Sequence, residues 1–298
     1  MDIKAVRRPF LQGGIWWSTA NRWIIGTSAQ VLIVTPQFTA AGNIPQKHEV
    51  AAAIEPTQNI EAVGLLDELP SDFPYANALA VLASDSTVRV FASPQSPDLT
   101  NWREVGRGAF GTGADHICAI ASTTLATTTD AAGARLPVVA CGSIGGRVSV
   151  IGLRGAGSGR VEASRVLSFD VHRVEICYLA WLHECVMAAG APQRILAVCV
   201  ANGAVQLWGV AGDLSEAVLV ETVCEPDWRP VTAHGVGRGV CVLAKLGLAL
   251  VVDVRDAPGI TVHRVDLDVT QTLVACVVDS GRDRIYIGAY DFAISVLA

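Results

Sequence analysis

The sequence predicts an all-β fold of repeated units, on observations that recur along its 298 residues. Six times a short apolar strand, a tight turn and a second β-branched strand follow one another. The later strands read Val31-Leu32-Ile33-Val34, Val88-Arg89-Val90-Phe91, Val148-Ser149-Val150-Ile151, Val205-Gln206-Leu207-Trp208, Leu250-Val251-Val252-Asp253-Val254 and Ile294-Ser295-Val296-Leu297. Successive steps between them are 57, 60, 57, 45 and 44 residues. A four-stranded blade takes roughly 40–45 residues plus loop insertions, so strands recurring at this interval read as the blades of a β-propeller. Strand character adds to this. Runs such as Cys177-Tyr178-Leu179-Ala180-Trp181-Leu182 are almost wholly apolar, as strands buried on both faces must be.

The units follow in order. In the first, Trp23 to Thr27 precedes Val31, and a long connection, Thr35 to Lys47, leads to its outer strand. In the second, the inner strand is Ile60 to Leu66, the second Leu79 to Ala83, the third Thr87 to Ala92 and the outer Trp102 to Val105. The third unit carries Pro137 to Gly142 before Val148, and the fourth Ile195 to Val200 before Val205. In the fifth, Gly239 to Ala244 precedes Leu250, and the outer strand Thr261-Val262-His263-Arg264-Val265-Asp266-Leu267 alternates because one face meets water. The sixth has an inner run, Leu273 to Val278, then Arg284 to Gly288 and Ile294 to Leu297, with no outer strand of its own. Pairing the spare segment Asp2 to Arg8 with this last blade would remove the open edges that invite aggregation. The expected architecture is therefore one domain over residues 1–298, with six blades closed by an N-terminal strand. Seven blades, one of them degraded, is the alternative count.

Composition narrows the class of function. Charged residues make up 17% and hydrophobic residues 51%, enough for a buried β core and unlike a disordered chain. The net charge of −6, with no long basic run, argues against direct sequence-specific contact with nucleic acid. The eight cysteines include no CxxC pair and mostly lie in apolar runs, as reduced core thiols do. His183-Glu184-Cys185 and the group His172, Glu175 and Cys177 lack a second ligand pair at a familiar spacing, so no metal is expected. Arg7-Arg8-Pro9-Phe10-Leu11-Gln12 imitates a twin-arginine export signal, but the following residues turn polar by Asn21-Arg22. The longest apolar stretch, Val240 to Val252, contains Lys245 and is too short to cross a bilayer. The expectation is an intracellular protein, cytoplasmic or nuclear, without membrane insertion.

Ser84-Asp85-Ser86-Thr87-Val88-Arg89-Val90-Phe91 resembles the end of a WD-repeat blade, in which Ser-x-Asp-x-Thr-Val-x-Val precedes an aromatic residue. Asn202-Gly203-Ala204-Val205-Gln206-Leu207-Trp208 and Asp291-Phe292-Ala293-Ile294-Ser295-Val296 are similar. In each, Asp or Asn occupies the turn, where its short side chain bonds nearby backbone amides. No unit ends in Trp-Asp or starts with Gly-His, so the resemblance is to a divergent WD-repeat-like propeller.

Catalytic patterns start and then fail. Gly106-Arg107-Gly108-Ala109-Phe110-Gly111 satisfies GxGxxG, yet the strand pattern after it, Asp115 to Ala121, has no lysine and offers no helix N-terminus for a phosphate. A turn between the second and third blades is the expectation there. Gly152 to Gly159 reads as a hairpin connection. No GxSxG elbow occurs, and neither a catalytic set nor a cofactor is expected.

Loop length gives the functional clue. Connections from inner to second strand are long at Asp67 to Asn77, Thr123 to Leu136 and His183 to Arg194, and those from third to fourth at Thr35 to Lys47 and Ser93 to Asn101. In a propeller both kinds emerge on one face, so a docking surface is expected over blades one to four. Candidate partner-binding residues are Phe38, Phe73, Tyr75 and Trp102, because aromatics held beside prolines lose little entropy on binding. The functional expectation is a non-enzymatic protein-interaction scaffold, a subunit of a larger multiprotein complex whose partners are other protein subunits. The competing expectation is a hydrolase-like enzyme or small-ligand binder using polar groups along the central channel.

Overall fold

In a computed structural model the described residues are 11–17, 20, 22–38, 45–54, 56, 58–66, 69–94, 101–111, 115–126, 135–186, 192–224, 232–236, 240–245, 248–253, 261–266, 273–279, 284–289 and 294–297. Their strands form six antiparallel sheets. The first contains β1 (Leu11–Trp17), β2 (Arg22–Thr27), β3 (Val31–Phe38) and β4 (Pro45–Ile54). The second contains β5 (Ile60–Leu66), β6 (Asn77–Ala83), β7 (Thr87–Ser93) and β8 (Arg103–Ala109). The third contains β9 (Ile117–Ala126), β10 (Arg135–Ser143), β11 (Arg147–Ala156) and β12 (Arg160–Asp170), with a single 3-10 turn at Gly157–Gly159. The fourth contains β13 (Ile176–Val186), β14 (Pro192–Val200), β15 (Val205–Ala211) and β16 (Ala217–Cys224). The fifth contains β17 (Thr232–Val236), β18 (Val240–Lys245), β19 (Leu248–Asp253) and β20 (Thr261–Asp266). The sixth contains β21 (Leu273–Asp279), β22 (Arg284–Ala289) and β23 (Ile294–Leu297).

Within every sheet the strands run in sequence order. The first strands β1, β5, β9, β13, β17 and β21 pack against one another in turn, and β21 also packs against β1, which closes the circuit. This is a β-propeller, as expected. The proposed closing strand, residues 2–8, lies outside the described residues.

Burial differs from the expectation in one respect. The middle strands are the most deeply buried: β6, β7 and β10 are buried at every position after their first residue. The inner strand β5 is less deeply buried, with Glu61, Ala62, Val63 and Leu65 half-buried. Fully buried Leu79, Leu82, Ile151, Leu153 and Leu196 mark the layers between sheets, each contributing about 1.5–3 kcal/mol of apolar transfer. Side chains also bond across those layers. Trp181 Nε1 donates to Ala121 O at 3.1 Å, and Ser122 Oγ donates to Leu65 O at 2.6 Å.

The outer strands show a second difference. Thr261, Val262, His263 and Arg264 on β20 are all exposed, so the described part of this strand does not alternate. On β16 Val218 is 49% and Leu219 43% exposed. His48 stands in β4 and His234 in β17. The GxGxxG segment is not simply a turn, because Gly106 and Gly108 are in β8. A Cβ on Gly106 would sit 2.3 Å from Val161 O, so the missing side chain is what lets β8 approach β12.

Candidate functional site

Sequential antiparallel strands place the first and third hairpins of each sheet at one end, and the second hairpin and the link to the next sheet at the other. The expected docking surface is the first end. Strand bounds shorten several of its connections: β9 continues to Ala126 before β10 starts at Arg135, and β13 continues to Val186 before β14 starts at Pro192. Threonine and β-branched residues at those positions extend the hairpins, where sequence reading placed loops. In the second sheet the long connection after Leu66 remains, with β6 beginning only at Asn77.

That connection is packed inward. Phe73 is 6% and Tyr75 4% exposed, both in the core shared by the second and third sheets with Leu66, Val105 and Leu153. Tyr75 OH donates to Gly159 O at 2.5 Å and accepts from Arg103 Nη2 at 3.0 Å. Arg103 also stands over the Tyr75 ring, 5.7 Å from its centre. Phe73 N–H donates to Pro70 O at 2.9 Å, closing a tight turn. Phe73 and Tyr75, expected as partner-binding residues, therefore fold back onto the core, where burial of two rings on the adjacent hairpin outweighs their exposure. What the loop shows to solvent is Ser71, Asp72, Pro74 and Ala76.

Trp102 is half-buried, with its ring 6.3 Å from Trp17 in an edge-on arrangement, and so joins the first sheet to the second. Its Nε1 is buried without a protein acceptor. Phe38 ends β3, and its side chain lies outside the described residues.

At the opposite end is an arrangement that sequence reading missed. Ser86 Oγ is 2.5 Å from His116 Nδ1, and His116 Nε2 is 3.2 Å from Glu61 Oε2. Ile117 N–H donates to the same serine oxygen at 3.1 Å. A neutral His116 carrying its proton on Nε2 satisfies every group: it donates to the Glu61 carboxylate and accepts the serine proton. The available signal was a lone histidine just before an inner strand, paired with a serine in a strand-joining turn.

This trio resembles a nucleophile, base and orienter, but its surroundings assign it to the joint between sheets. Ser86 is only 8% exposed, and its oxygen already accepts the Ile117 amide. Its φ of 61° belongs to a turn shape shared along the chain, because Gly146 (82°) and Gly203 (98°) occupy the same position in the equivalent turns. Each is the third residue after its strand and donates its N–H to that strand's last carbonyl. Asp85 and Asn202 brace two of these turns by accepting the N–H of Thr87 and Ala204, each at 3.0 Å, as the sequence predicted. In the third sheet glycine stands there, and Asp115 from the preceding link accepts Gly145 N–H at 3.0 Å.

Among the described residues no group of three His, Cys, Asp or Glu side chains is arranged to hold a metal ion. Nor is any helix there long and apolar enough to cross a membrane. Cys141 and Cys199 are buried, and Cys118 and Cys177 are half-buried.

No protein-family model matches the sequence. No curated protein matches it either. Solved structures do. The β-propeller domain of Cps50 (Swd1) from Myceliophteria thermophila is similar over 96% of this chain and 83% of its own, with 10% identity and a TM-score of 0.53. Sqt1 from Saccharomyces cerevisiae is similar over 97% of this chain and 82% of its own, with 10% identity and a TM-score of 0.55. These likenesses bear out the β-propeller fold that the repeated strands pointed to.

Proposed function

We propose that the chain is a non-enzymatic interaction scaffold, a single propeller domain over residues 1–298 acting as a subunit of an intracellular multiprotein assembly. Its partners are other proteins, docked on the loop end over blades one to four. The observation that carries this reading is the clamp formed by Tyr75, Gly159 and Arg103, which holds the connection before β6 against the neighbouring hairpin. A loop ordered before binding loses little entropy when a partner arrives. The buried rings supply that order, and the exposed Ser71, Asp72 and Pro74 between them supply the contact.

Affinity purification of the tagged chain from native cells tests the reading. A stoichiometric, reproducible protein partner is expected, released at least tenfold more readily when Ser71 and Asp72 are both replaced by Arg. Those substitutions leave Phe73 and Tyr75 in place. Recovery of free monomer alone, or a partner indifferent to the double substitution, would overturn the docking surface.

A further inference from the structure

Bulges interrupt the inner strands at Glu61, Cys118 and Cys177, and two more fall on an outer strand. In the pairing of β15 with β16, Val205 meets Cys224 and Gln206 meets Thr222, which leaves Val223 out; Leu207 meets Glu221 and Trp208 meets Leu219, which leaves Val220 out. A bulge re-aims the side chain of its extra residue. Here both extra valines turn inward, onto the core that the fourth sheet shares with Leu250 and Val252 of the fifth. Two pairs of neighbours are left facing water, Val218 with Leu219 and Glu221 with Thr222. Strict alternation would have hidden one residue of each pair.

Among the described residues β16 is the last strand of its sheet, so its outer edge is open. Exposed charges of both signs guard the outer strands of the two preceding sheets, with Arg103 and Glu104 on β8 and Glu162 and Arg165 on β12. The edge of β16 lacks that guard. From Asp213 to Trp228 the sequence carries Asp213, Glu216, Glu221, Glu225 and Asp227 but no Lys, Arg or His. A second copy of the same edge fits poorly. Antiparallel self-pairing about Val218 and Leu219 brings Glu216 of each copy beside Glu221 of the other, and like charges placed across strands are destabilising. A strand that carries Lys or Arg between apolar residues answers both features. Its apolar side chains cover Val218 and Leu219, and its cations lie beside Glu216 and Glu221.

We propose that the outer edge of β16 is a docking site for an extended segment of another protein, with apolar residues alternating with Lys or Arg, which adds to the fourth sheet as a fifth strand. Main-chain hydrogen bonds to the open edge supply affinity, and the alternate side chains supply the choice of sequence. This site does not depend on docking at the loop end of the second sheet.

The probe is a dye-labelled ten-residue peptide of alternating Val and Lys, titrated with the full chain and followed by fluorescence anisotropy. Saturable binding is expected, weakened at least tenfold by Leu219→Lys and by Glu221→Arg. Both variants should melt as the parent does, since both positions are exposed. Two control peptides need no variant: one with Glu in place of Lys, and one with Pro in place of Val, which keeps the charge but loses backbone donors. Each should bind at least tenfold more weakly. Absence of saturable binding by the Val and Lys peptide, equal binding of the proline peptide, or an affinity unchanged in both variants overturns the proposal. Dimerisation of the parent chain that Leu219→Lys abolishes would assign the edge to a second copy and overturn it as well.

Discussion

Ser86 Oγ and His116 Nδ1 stand 2.5 Å apart across the joint between the second and third sheets. The serine occupies a left-handed turn position that glycine fills in the two following sheets. A residue with a Cβ is strained there by roughly 1–2 kcal/mol, and the bonds to His116 and the Ile117 amide offset that strain.

Replacing this serine separates the two effects. Ser86→Ala keeps the strain and leaves the Ile117 amide without its acceptor, so a loss of about 1–3 kcal/mol is expected. Ser86→Gly loses the same bonds but relieves the turn, so it should be less damaging by about 1 kcal/mol. Denaturant unfolding of both variants reads the difference. Equal losses, or a worse glycine variant, would show that the turn tolerates serine without compensation.

Phe73 and Tyr75 are expected to govern stability. Phe73→Ala removes a buried ring and should cost about 3–5 kcal/mol. Tyr75→Phe keeps the ring but deletes the hydroxyl shared by Gly159 and Arg103, for about 1 kcal/mol. If both variants melt like the parent chain, the inward packing of this loop is wrong.

The loop also shows where sequence reading stops. Strand pattern located β5 at Ile60 to Leu66 to the residue, because a mostly apolar run between polar segments is a local signal. Nothing local says that Tyr75 meets Gly159, which lies 84 positions further on. Bulges at Glu61, Cys118 and Cys177 were equally hidden, since they depend on the register of a partner strand. His116 was visible as a residue, but its partners Ser86 and Glu61 come together only when two sheets stack.

Gly106 gives a packing test. An added methyl would meet the Val161 carbonyl at 2.3 Å, and a backbone atom cannot swing aside as a side chain can. Gly106→Ala should therefore destabilise by roughly 1–3 kcal/mol through overpacking, although alanine suits a strand at least as well as glycine does. Thermal unfolding at or above the parent temperature would show that β8 and β12 separate freely.

Asp85 sets an expected pH dependence. Burial pulls its carboxyl up, but the Thr87 side-chain and backbone hydrogen bonds and the Arg89 charge together hold it below its ordinary value of 3.8. The folded state thus favours the charged form, and the unfolded chain binds the proton more readily. The resulting stability is present above the ordinary value and is lost as pH falls through the lowered one. Asp85→Asn keeps the turn-bracing oxygen without the charge, so its melting temperature should fall less than the parent's between about pH 5 and pH 3. Parallel acid limbs in the two proteins would assign the pH dependence elsewhere.

The last prediction concerns the sixth sheet, which has three strands among the described residues while the other five have four. β21 already packs against β1, so the first and last sheets are neighbours. A fourth strand on the outer side of β23 would give this sheet the same pairing as the rest, and Asp2 to Arg8 is the segment expected to provide it. The backbone groups of an unpaired edge attract other chains. Removing residues 2–8 should therefore lower the melting temperature and promote association that grows with concentration. Light scattering and thermal unfolding of the truncated chain test both parts, and a truncated chain that stays monomeric with unchanged melting would mean that another strand, from a partner, completes the sheet.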